Sequence, residues 1–103
     1  MFRRDPFRDV IARQLDLFVE DEADLLQEAR ERFSAYRHAD REDREETYGD
    51  WSDVVETATE ALAGMRDRFG RTLDEDAADA YEESFNHAVR KRWPELGLEI
   101  ENR

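Results

Sequence analysis

Apolar positions along this 103-residue chain recur at helical spacing in three segments, each bounded by capping residues. In the first, Phe7, Val10, Ile11, Leu15, Phe18, Leu25, Ala29, Phe33 and Tyr36 share one sector of a wheel turning about 100° per residue. Asp5-Pro6 opens it, because a carboxylate at the N-cap accepts a backbone N–H and proline at the first helical position gives up no hydrogen bond. The register carries through the acidic stretch Glu20-Asp21-Glu22, so the pattern predicts one helix over residues 6–37, about nine turns long. Asp21 and Asp24 can also cap a second helix, which makes this stretch the place for a bend. Residues 38–50 form a polar connection. Asp40 with Arg44, and Arg41 with Glu45, stand at i,i+4, so it is either a solvated helical extension or a loop.

Gly49 suits the end of that connection and Asp50 the cap of a new element, predicting a second helix over residues 51–69. Trp51, Val54, Val55, Ala58, Leu62, Met65 and Phe69 line its face. Gly70 suits a stop, and Thr72 with Glu75 has the spacing of a capping box, so a third helix over residues 73–93 comes after a tight turn. Ala77, Ala78, Tyr81, Phe85, Ala88 and Val89 mark its buried face, and Pro94 ends it. In residues 94–103, Leu96, Leu98 and Ile100 alternate with polar residues, which predicts a short extended tail docked on its own bundle or on a second subunit. The expected fold is all-α: an antiparallel three-helix bundle in a single domain, 1–103, with a long first helix and a tight hairpin between the other two.

A first helix that outruns its partners leaves part of its stripe uncovered. Phe7, Val10, Ile11, Leu15 and Phe18 are the densest part, and they are the expected self-association surface of a dimer. Small cores are marginal at this length, which adds to the case for pairing.

Composition changes the picture in two ways. With 28 acidic and 16 basic side chains, the formal charge is −12 and the mean hydropathy −1.00. Between residues 40 and 60 lie nine acidic and two basic side chains, and Asp43, Glu45, Glu46, Asp50, Asp53 and Glu56 form a candidate acidic patch for a basic protein partner or for a groove that normally takes nucleic acid. Fifteen arginines against one lysine, with 13 aspartates, also fit a concentrated-salt cytoplasm, in which the charge reports environment rather than partners. The absence of cysteine excludes disulfide scaffolds, thiolate metal sites and cysteine nucleophiles. No apolar run approaches the roughly 20 residues of a spanning helix, and charges interrupt the basic start Met-Phe-Arg-Arg-Asp-Pro, so a cytoplasmic protein without membrane or nucleic-acid partners is expected.

Candidate chemistry is sparse. The Glu-x-x-His pairs of di-iron carboxylate bundles are missing, since Ala35 and Ser84 stand three residues before His38 and His87. Glu83 and His87 stand at i,i+4 but supply only two ligands, on a polar face. Ser34, Ser52 and Ser84 lie in no nucleophile turn, and the four glycines form no phosphate loop. Arg32 and His38, separated by five residues, resemble the Arg-x(4–6)-His motif of the HEPN family of helical ribonucleases, and that resemblance implies RNA cleavage with these two residues in the site. The reading that the residues themselves favour is a non-enzymatic interaction or scaffolding protein without catalytic residues, metal or cofactor.

Overall fold

Four helices, not three, build the computed structural model, which describes residues 5–94 and 99–103. They are α1 (Arg8–Asp21), α2 (Ala23–His38), α3 (Arg44–Gly70) and α4 (Glu75–Arg92), followed by a 3₁₀ turn, Ile100–Asn102; the described residues form no strand. The expected long first helix is divided at Glu22, where φ and ψ of −116° and 31° leave helical geometry for one residue. The charges explain the position. Glu20 and Asp21 crowd the end of α1, which has no basic residue in its last turn, whereas Asp24 sits favourably in the first turn of α2. Glu22 still donates its N–H to Phe18 and accepts from Leu26, so the interruption leaves few backbone groups unpaired.

The longest helix is therefore α3, at 27 residues. It begins at Arg44 and runs through Gly49, so only residues 39–43 remain of the expected polar connection, and Gly49 stops nothing. Gly70 is the last residue of α3 rather than a left-handed stop. The capping box at Thr72 does not form: Thr72 Oγ1 donates to the Phe69 carbonyl, and Asp74 caps α4 by accepting the Ala77 N–H at 2.9 Å. Asp5 accepts the Phe7 N–H in a turn that precedes α1, which starts at Arg8 rather than Pro6.

Aromatic pairs fix the directions. Phe33 meets Trp51 (5.0 Å between centroids) and Tyr36 meets Tyr48 (5.4 Å), so α2 runs antiparallel to the first half of α3. Phe69 meets Tyr81 (4.8 Å) in the α3–α4 hairpin. Phe7 meets Tyr81 (5.4 Å) and Phe18 meets Trp93 (5.9 Å), so α1 lies parallel to α4, beside the second half of α3. The core sits there, built from Ile11, Leu15, Phe18, Leu62, Tyr81, Phe85, Val89, Trp93 and Ile100, with Leu26, Ala29 and Ala58 at its upper edge.

The tail differs from expectation where it is described. Ile100 is fully buried in a 3₁₀ turn rather than an extended strand, and Leu96 and Leu98 lie outside the described residues. Arg66, 2% exposed, holds the turn in place: its guanidinium donates to the carbonyls of Ile100 (3.2 Å) and Arg103 (3.1 Å), to Asn86 Oδ1 (2.9 Å) and to Asp67 Oδ1 (2.9 Å). Arg90 with Glu101, and Arg103 with Glu60, add ion pairs at the rim.

Candidate docking surface

Among the described residues, unequal helix lengths leave one end of the molecule thinly covered. At about 1.5 Å per residue, α3 is roughly 40 Å long and α4 roughly 27 Å. Since α4 folds back from the C-terminal end of α3, it covers the second half and stops. Among the described residues, the first half of α3 has α2 along one side, the two forming an arm, and, near Glu56, the end of the tail at Arg103; the molecule measures 51 × 29 × 24 Å.

Within the arm the apolar side chains are aromatic and only partly covered. Tyr36 stacks on Trp51 (5.7 Å, 8° between planes), Tyr48 lies edge-on to both, and Phe33 tilts against Trp51. Arg37 and Arg44 lie over the rings of Phe33 and Tyr36, each at 5.8 Å. N-terminal to Ala58, no residue of α3 is fully buried, and Tyr48 keeps 51% of its surface in solvent. The indole N–H of Trp51 is buried with no acceptor among the described residues, an omission that costs roughly 1–3 kcal/mol in an otherwise satisfied interior. Beside it runs a groove of about 480 Å³, lined by Tyr48, Trp51, Ser52, Val55, Thr59 and, at the tail, Arg103.

The expected self-association surface lies elsewhere and is occupied. Ile11, Leu15 and Phe18 are each 2% exposed inside one chain, while Phe7 and Val10 are half-buried against the same core. Ile11, Leu15 and Phe18 are therefore taken up by the core of one chain, while Phe7, Val10, Leu25, Phe33 and Tyr36 of the same stripe are each only partly covered.

The acidic residues decorate the arm without forming one face. Asp43, Glu45, Glu46, Asp53 and Glu56 are exposed and Asp50 is half-buried. Arg32 lies 3.8 Å from Asp50 and also from Glu28, and Glu56 lies 3.7 Å from Arg103. On the α3 wheel Glu45 and Glu56 border the groove with Tyr48, whereas Glu46, Asp50 and Asp53 fall on the opposite flank.

The other candidates are dispersed. Arg32 is taken up by its carboxylates and His38 Nδ1 lies 2.8 Å from the Ser34 carbonyl, both at the surface. Glu83 and His87 are exposed, and among the described residues no three His, Asp or Glu side chains converge. Two groups titrate away from their ordinary values. Burial pushes the Tyr81 hydroxyl up, opposed by its 2.8 Å hydrogen bond to Gln14, and a backbone hydrogen bond followed by Arg90 holds the Glu101 carboxyl down. Both belong to packing, in the core and at the tail.

Sequence reasoning assigned Tyr48 to the polar connection and so missed the arm. The signal was present: Tyr48, Trp51 and Val55, at steps of three and four, extend the stripe of the second predicted helix backwards, and Gly49 disguised it. Comparison with protein-family models, curated proteins and solved structures finds no match to this chain.

Proposed function

We propose that this chain is a non-enzymatic protein-docking module whose partner surface is the open side of the α2–α3 arm. The observation that carries the reading is the half-covered aromatic cluster of Tyr36, Tyr48 and Trp51 on two helices that no third helix covers among the described residues. Aromatic side chains on a rigid element, with polar and charged residues around them, are what the centre of a protein interface requires. Any enzymatic reading, the ribonuclease one included, lacks a comparable constellation: Arg32 is engaged by Glu28 and Asp50, and both carboxylates oppose an RNA backbone.

Site-specific photo-crosslinking tests this. A benzophenone side chain at position 48, on the arm, is compared with one at position 17, because Leu17 is as exposed (54%) but sits on the head. Defined cross-linked peptide pairs from position 48 and none from position 17, in the cells that make the protein, are expected. Equal yields from both, or none from position 48, would refute the arm as the docking surface.

A further inference from the structure

Taking the docking reading as its premise, we infer that the occupant of the arm is a second copy of this chain, placed two-fold so that α2 of each copy lies over α3 of the other. The arm is half of a four-helix bundle, and an identical arm supplies the missing half with the same side chains on both sides of the axis.

Charge selects a copy of this chain over a uniformly basic partner. Residues 30–37 contain Arg30, Arg32 and Arg37 against one acid, Glu31, while residues 45–60 contain six acids and no base. Arg32 faces Asp50 within its own chain. Arg30 and Arg37 stand about 200° and about 140° away from Arg32 on the helix, on the flank shared with Tyr48. Both are exposed, and neither has an ion-pair partner within 4.0 Å among the described residues. The corresponding flank of α3 carries Glu45 and Glu56, which are also exposed; Glu56 lies 3.7 Å from Arg103 of its own tail, which Arg30 of a second copy would join or displace. A two-fold axis through the open side sets the basic flank of each copy against the acidic flank of the other and brings Tyr48 toward its own mate. A wholly basic partner satisfies Glu45 and Glu56 but opposes Arg30 and Arg37.

Size sets the strength. The open face is roughly 20 Å long and roughly 20 Å wide, or roughly 400 Å² per copy and roughly 800 Å² in total, below the roughly 1,000 Å² that a stable complex clears. The pair is therefore a weak, exchanging dimer, to be read at high micromolar concentration.

Two double variants separate this inference from the docking reading. Arg30→Glu with Arg37→Glu makes both flanks acidic, and Glu45→Arg with Glu56→Arg makes both basic. Sedimentation equilibrium of the full chain should show wild type approaching twice its 12.3 kDa mass and each double variant remaining monomeric. An equimolar mixture of the two variants should pair again, because both of its contacts are then acid against base. Repair between chains cannot come from restored folding within one. Circular dichroism checks that each variant is helical, and where one is not, Tyr48→Arg replaces it, with a monomer expected. A monomeric wild type, variants that dimerise like wild type, or a mixture that stays monomeric would overturn the inference. Cross-links from position 48 to a different protein would also overturn it, while leaving the docking reading intact.

Discussion

Arg66 shows how a single residue can be decisive and still be passed over. It stands four residues after Leu62 and three before Phe69, on the buried face of α3, yet an arginine at such a position reads as an exposed interruption. Its acceptors lie 34 and 37 residues away, at Ile100 and Arg103, so no local pattern announces them. The planar guanidinium satisfies several acceptors at once, with Asp67 and Glu82 supplying compensating charge at 2.9 and 3.4 Å. Arg66→Met keeps much of the volume but leaves the Arg103 oxygen and Asn86 Oδ1 without their arginine donor, and Ile100 with the Arg103 N–H alone, and should cost about 2–4 kcal/mol in urea unfolding. The same variant should release the 3₁₀ turn to limited proteolysis. Unchanged stability with a protected tail would mean that Ile100 packing alone holds the turn. Tyr81, by contrast, was legible as core from its spacing, and only its hydrogen bond to Gln14 on α1 needed three dimensions.

Among the elements, what was legible depended on whether local or distant forces set the boundary. Spacing identified the inward faces of the second and third predicted helices, which became residues 51–69 of α3 and most of α4, although Trp51, Val54, Val55, Met65 and Phe69 are only partly buried. The break at Glu22 was visible as an acidic stretch, but the stripe continued across it, and the wheel does not register one residue's departure from helical angles. The start of α3 failed for a different reason. Glycine is a poor helix former and was weighed as a terminator, whereas pairing of Tyr48 and Trp51 with α2 holds the helix through it. A Cβ at Gly49 would meet nothing within 4 Å, so no close approach requires glycine there. Gly49→Ala should accordingly stabilise the arm, raising the unfolding free energy by about 0.5–1 kcal/mol. A loss of stability would show that the first turns of α3 are not helical in solution. The tail was only partly legible: the burial of Ile100 agreed with the alternation, but its 3₁₀ turn did not.

For the whole molecule, the overhanging first helix expected from sequence is not formed, and a different mismatch in helix length takes its place. The sequence pattern predicts a long first helix overhanging a short hairpin; instead α3 overhangs α4, with α2 as the helix that accompanies it among the described residues. The consequence is a head that buries Ile11, Leu15 and Phe18 and an arm that leaves Tyr48 half exposed. The formal charge of −12 is distributed over both, and its arrangement on the arm, arginine on α2 and carboxylates on α3, matters more than its total. Ile11, Leu15 and Phe18 of the first apolar stripe are the fold's own core, whereas Tyr48 on the arm, the proposed docking surface, carries little of the fold's stability. Urea unfolding of dilute Phe18→Asp beside Tyr48→Asp tests it directly. An unpaired carboxylate at Phe18 should cost about 4 kcal/mol or more, enough to abolish a cooperative transition in a chain of this size. At Tyr48, half exposed but edge-on to Tyr36 and Trp51, it should cost no more than about 2 kcal/mol and leave a cooperative transition. A Phe18→Asp protein that unfolds like wild type, with Tyr48→Asp the damaged one, would contradict the account.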